Sequence, residues 1–103
     1  MKLYIDDERT VPEGWELART FHEAIYKIEN QEYSEISLDH DLGDRSLYGY
    51  KEMTGDDVLQ WLIRRKLNGE KVPAKIKIHT ANVAKSGRMK EDVKRYWEGV
   101  DNT

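Results

Sequence analysis

Three clusters of acidic and polar residues each follow a short apolar run: Asp6-Asp7-Glu8 after Leu3-Tyr4-Ile5, Asp39-His40-Asp41 after Ile36-Ser37-Leu38, and His79-Thr80-Ala81-Asn82 after Ile76-Lys77-Ile78. Carboxylates brought close together repel one another unless a cation or a proton neutralises them. Hard oxygen ligands with room for water suit Mg2+ or a similar divalent cation, which keeps part of its hydration and takes phosphate oxygens in its open positions. Asp6, Asp7 and Asp39 are therefore the candidate metal ligands. Adjacent aspartates also serve as turn and cap residues; what strengthens the metal reading is the second cluster, where no helix start consumes Asp39 and Asp41.

His40 and His79 each stand inside one of these clusters and are candidate general acids or bases, Asp39 being the third candidate catalytic group. His79 is favoured as the proton shuttle because it precedes Thr80 and Asn82, whose hydroxyl and amide suit a phosphoryl oxygen. Lys85 and Arg88 in the following turn are positioned to neutralise the remaining phosphate charge. The run Ala84-Lys85-Ser86-Gly87-Arg88, at a helix start, offers backbone amides to the same anion. A buried, hydrogen-bonded histidine and a solvated basic loop are the structural alternatives for these residues. His22, in a first helical turn, reads as structural or surface.

The elements that must bring the clusters together are legible. Residues 2–6, 15–19, 35–39 and 74–79 read as strands, and helical patterns follow the second, third and fourth of them. Strands alternating with helices predict right-handed crossovers and a parallel sheet, whose carboxyl ends converge on one crevice. Thr20 with Glu23, and Thr54 with Asp57, match or approximate the capping box that satisfies first-turn amides. Ala24, Ile25 and Ile28 form one apolar stripe, Val58, Leu59, Leu62 and Ile63 a second, and Met89, Val93, Tyr96 and Trp97 a third; all three read as core. Gly69 stands where the second helix should stop, and Pro73 prevents its resumption. The long connection 43–53 carries Tyr48, Gly49 and Tyr50 just after the second acidic cluster and reads as a lid or as a solvated loop.

With 103 residues the chain is expected to form one domain over residues 1–103. Its net charge of −3 gives no general attraction to nucleic acid but leaves room for a local basic patch. There is no cysteine, hence no disulfide framework and no thiolate metal site, and neither a secretion signal nor a membrane span is evident. A soluble cytoplasmic protein is the expectation.

Asp6-Asp7, Asp39 and Thr80-Ala81 resemble the receiver domains of two-component signalling, which pair an acidic doublet after the first strand with an aspartate after the third and a Thr-Ala after the fourth. The resemblance is closer to cyclic-phosphate-processing receiver domains. It runs through Leu3-Tyr4-Ile5-Asp6-Asp7-Glu8-Arg9, Pro12, Gly14-Trp15, Leu38-Asp39-His40-Asp41-Leu42-Gly43, Thr54-Gly55 and His79-Thr80-Ala81-Asn82, which is most of the chain. It implies a compact, receiver-like (flavodoxin-like) three-layer α/β sandwich with a four-stranded parallel sheet of order 2-1-3-4. It also implies a metal-assisted reaction, a phosphoesterase activity on cyclic phosphates of nucleotides or RNA ends, with Mg2+ or another divalent cation as cofactor. The expected partner is a small phosphorylated ligand or a cyclic-phosphate nucleic-acid end, with no membrane involved.

The chain departs from an ordinary receiver: Val11-Pro12-Glu13-Gly14 reads as a loop where a helix would lie, and no fifth strand with its terminal lysine follows. Phosphorylation of Asp39 by a kinase then lacks a charge partner unless Lys85 or Arg88 replaces that lysine. A phosphorelay receiver, and a non-catalytic module binding a phosphorylated ligand or a partner, are the alternatives.

Overall fold

The computed structural model describes residues 1–42, 44–45, 52–80 and 83–97. Four strands, β1 (Lys2–Ile5), β2 (Glu16–Ala18), β3 (Glu35–Leu38) and β6 (Lys75–Ile78), form a parallel sheet in the spatial order β2-β1-β3-β6, the expected 2-1-3-4 arrangement. Between β3 and the next helix, β4 (Asp44–Arg45) and β5 (Glu52–Met53) pair as a short antiparallel ribbon. Tyr48, Gly49 and Tyr50, the residues of the proposed lid, lie outside the described residues, as do Ala81 and Asn82.

The helices α1 (Phe21–Asn30), α2 (Gly55–Leu67) and α3 (Val83–Trp97) begin where local chemistry sets them. The Thr20 hydroxyl accepts from the Glu23 amide at the head of α1, and Thr54 and Asp57 complete a reciprocal capping box at the head of α2. The turn after α2 needs a positive φ, which Gly69 supplies at 78°.

Alternation along the strands sorts the sheet into two unlike faces. Leu3, Ile5, Ile36, Leu38 and Ile76 are buried in one cluster with Ala24 and Ile28 of α1, Val58, Leu59, Leu62 and Ile63 of α2, and Met89 and Val93 of α3. The opposite face carries Lys2, Tyr4, Ser37, Lys75 and Lys77. Among the described residues, therefore, the sandwich has a sheet layer and one helix layer rather than three layers. The reason is topological: the crossovers β2-α1-β3 and β3-α2-β6 run in the same direction across the sheet, so a common right hand puts both helices on the same side. The β1–β2 connection has no helix to cover the other. Each of the larger core side chains contributes about 1.5–3 kcal/mol by leaving water, so one well-filled layer is enough to hold the sheet's register. No helix among the described residues is long and apolar enough to cross a membrane.

Candidate metal and phosphate site

Register brings the clusters to one edge. Ile5, Leu38 and Ile78 pair across β1, β3 and β6, and the ladder runs one residue further through Asp39 N–H to Ile5 O (2.9 Å) and His79 N–H to Leu38 O (2.8 Å). Asp6, Asp39 and His79 therefore leave the sheet at the same level, on strands about 4.8 Å apart. By the period of two, all three start from the face that the helices leave uncovered.

Asp6, Asp7 and Asp39 each present an oxygen, and these atoms lie within 4.8 Å of one another. An octahedral Mg2+ with bonds of about 2.1 Å spaces its ligand oxygens roughly 3–4 Å apart. The cluster thus fits an ion bound directly by some of these carboxylates and through water by the rest. The cavity they line, about 260 Å³, also receives Glu8, Arg9, Asp41 and Thr80. Burial, together with the negative charges of Glu8, Asp39 and Asp6, holds the Asp7 carboxyl above its ordinary value of 3.8. Unneutralised carboxylates at close range behave in this way, and a bound cation relieves them.

Asp6 is fully buried. Burial alone would raise its carboxyl, but the Arg9 and Glu8 amides and the His79 ring outweigh that and hold it below 3.8. Its Oδ1 accepts from Glu8 N–H (2.8 Å) and Arg9 N–H (2.9 Å), while Oδ2 lies 3.0 Å from His79 Nε2 and 3.6 Å from Arg9 Nε. Arg19 pins the same loop by donating to the carbonyls of Asp6 (3.3 Å) and Arg9 (3.0 Å).

Both ring nitrogens of His79 are engaged. Since a carboxylate only accepts, Nε2–H donates to Asp6, and Nδ1 is left to accept from the Ser37 hydroxyl at 2.6 Å. The ring stacks on Tyr4, centroids 4.2 Å apart and planes 9° from parallel. Burial is the largest influence on His79 and lowers it below 6.5 despite the Asp6 charge, in keeping with the neutral form that this bonding requires. Ser37 lies between, short enough for the imidazole to pass over β3 and reach β1.

The pH consequence has a definite sign. A histidine depressed in the folded state stabilises the fold above its unfolded value of 6.5, and that contribution is lost as pH falls through the lower folded value. Urea unfolding of the metal-free protein between about pH 7.5 and 5.5 should show this loss, and His79→Gln, which keeps an N–H donor but does not titrate, should flatten it. An equal slope in the variant would assign the effect to another group.

The remaining candidates fall elsewhere. His40 is mostly buried, with Nδ1 2.7 Å from Asp41 Oδ1. It lines a second cavity of about 260 Å³ with Asp56, Lys85 and Arg88. Thr80 thus stands in the acidic cavity, whereas Lys85 and Arg88 stand in the other; Arg9 is the only cation among the described residues lining the first. A cavity of about 570 Å³ opens at the amino edge of the sheet near Met1, Tyr33 and Pro73, and none of the candidates is among its lining residues. His22 is exposed on α1, edge-on to Phe21.

Arg9, Ser37 and Gly55 are site residues that sequence reasoning passed over. Ser37 had a signal, as the one polar residue between Ile36 and Leu38 in a strand that otherwise buries apolar side chains. Gly55 stands in the Thr54-Gly55 pair of the resemblance, but its contact with the second cluster is visible only in the structure. A Cβ there would meet the Asp39 carbonyl oxygen at 1.6 Å, because the start of α2 packs directly on the second cluster, with Gly55 N–H donating to His40 O at 2.7 Å.

A sequence model of the cyclic-phosphate processing receiver domain matches residues 1–95. No curated protein and no solved structure matches the chain.

Proposed function

The chain belongs to the cyclic-phosphate processing receiver domains, and from that premise we propose that it is a divalent-metal-dependent phosphoesterase acting on cyclic phosphates of nucleotides or RNA ends. The observation that carries this reading is the meeting of Asp6, Asp7 and Asp39 oxygens within 4.8 Å beside Thr80 in one small cavity. A divalent cation bound there supplies Lewis-acid polarisation of a phosphoryl oxygen and an acidified water.

The chain's own groups divide the remaining work. Asp6, Asp7 and Asp39 hold the cation, Mg2+ being the natural choice for oxygen ligands. The Thr80 hydroxyl and the Arg9 guanidinium face the phosphoryl oxygens from the cavity wall. His79 acts through Asp6, which it aims and holds ionised, because neither of its nitrogens is left over for a substrate. The proton-transfer role falls to the His40–Asp41 pair: Asp41 lines the acidic cavity and its Oδ1 lies 2.7 Å from His40 Nδ1. Asn82 is proposed as a further phosphate ligand on its sequence position alone. Lys85 and Arg88, the candidate replacements for an ordinary receiver's terminal lysine, line a different cavity from the one that Asp39 lines.

The test is a panel of 2',3'-cyclic and 3',5'-cyclic phosphates with and without Mg2+ or Mn2+. Turnover is expected only with metal. His40→Ala is expected to lower kcat by roughly a hundredfold, whereas His79→Ala weakens metal binding and is partly rescued by raising the metal concentration. Metal binding without turnover of any member would favour a phospho-ligand binding module; labelling of Asp39 by acetyl phosphate would favour the phosphorelay.

A further inference from the structure

At about 260 Å³ the acidic cavity has room for a hydrated cation and a phosphoryl group, but it falls below the roughly 300–1,000 Å³ of pockets that enclose whole small ligands. The rest of a phosphorylated substrate must lie against a neighbouring surface. The His40 cavity is equally small and puts the Asp56 carboxylate beside its cations. Beside His79, at the β6 edge of the sheet, lies a cavity of about 480 Å³ lined by Ser37, Lys77, His79, Lys90 and Lys94, with the half-buried Ile78 as its accessible apolar member and no acidic side chain among its lining residues.

His79 joins the two spaces, lining the basic cavity and bonding Asp6 of the acidic one through its Nε2. Lys90 and Lys94 are exposed, one turn apart on α3, and neither is ion-paired among the described residues. Like charges at that spacing are unfavourable on a helix unless something anionic answers them. Lys77 is 3.7 Å from Glu35, itself mostly buried, and more than half of the Lys77 side chain remains in solvent. On a chain of net charge −3, this is a local basic patch directly beside a site for phosphate.

We infer that the basic cavity is the binding groove for a single-stranded nucleic acid whose phosphorylated end occupies the acidic cavity. The inference rests on reading the acidic cavity as the phosphate-processing site. The two anion-attracting places are separated by the His79 ring and its 3.0 Å bond to Asp6, so the ligand must carry charge on both sides of an uncharged spacer. A sugar-phosphate chain does; the contiguous charges of a polyphosphate do not. The lysines take backbone phosphates, a charge contact that carries no sequence readout, and the accessible part of Ile78 packs against a sugar.

Fluorescence anisotropy of a labelled oligoribonucleotide ending in a 2',3'-cyclic phosphate tests this, with the mononucleotide 2',3'-cyclic phosphate and ATP as unlabelled competitors. Three lysine–phosphate contacts predict a slope of about −2 for log affinity against log salt, at roughly 0.7 per phosphate. Lys90→Glu/Lys94→Glu, at two exposed positions, should lower the ratio of oligonucleotide to mononucleotide affinity at least tenfold and cut the slope to about −1 or less. The milder Lys90→Gln/Lys94→Gln pair should shift both in the same direction. An unchanged ratio in a folded double variant would overturn the groove, as would ATP competing as well as the oligonucleotide. Failure of turnover with the binding pattern intact would sink the catalytic reading and leave the groove standing; turnover of the mononucleotide with an unchanged ratio would do the reverse.

Discussion

Asp39→Asn should leave the protein folded, slightly more stable without metal, and no longer stabilised by it. The Asp39 Oδ1 accepts the His40 amide at 2.8 Å, a bond the asparagine carbonyl can keep. The substitution removes a charge that helps to raise the neighbouring Asp7 carboxyl, so repulsion in the empty cluster falls. In the wild type, an ion at a hundred times its Kd stabilises the folded state by about 2.7 kcal/mol, which for a domain of this size is a rise in Tm of roughly 10 °C. Thermal melts of both proteins with and without millimolar Mg2+ or Mn2+ give the comparison, and turnover should fall in parallel by roughly a hundredfold or more. A metal-induced rise of equal size in the variant would place the ion elsewhere in the molecule.

Gly55→Ala should destabilise the protein by about 3 kcal/mol and weaken its response to metal. Helix propensity alone predicts the opposite, a gain of up to about 1 kcal/mol. The conflict is decided by contact: the added Cβ would sit 1.6 Å from the Asp39 carbonyl oxygen, 2.7 Å from its carbon and 3.2 Å from the His40 Cα. None of these is a flexible side-chain end. The start of α2 must withdraw, losing the bond from Gly55 N–H to His40 O and moving the strand end that carries Asp39. Urea titrations with and without Mg2+ would measure both effects, and a stabilised variant would show that the close approach does not hold in solution.

Most of the scaffold could be read locally. The strands, the caps at Thr20 and Thr54, the stop at Gly69 and the apolar stripes of the three helices are set by residues within a few positions of one another. The order 2-1-3-4 followed from resemblance together with the handedness of the crossovers. The same handedness leaves one sheet face without helices, a consequence that the expected three-layer sandwich did not contain.

The sequence by itself determined which residues reach the carboxyl edge, because a strand of known phase delivers Asp6, Asp39 and His79 to its end whatever packs around it. What those side chains do there was decided by tertiary structure. The imidazole of His79 turns back across β3 to bond Ser37 and Asp6, 42 and 73 residues away in the chain. Thr80 is parted from Lys85 and Arg88 because α3 docks on the core through Met89 and Val93, turning its first basic residues toward His40. Gly55 becomes indispensable only when α2 settles on the Asp39 carbonyl. Spacing along a chain fixes where a side chain begins; its direction and partners depend on register and docking between elements far apart in sequence, and only the folded molecule brings those together.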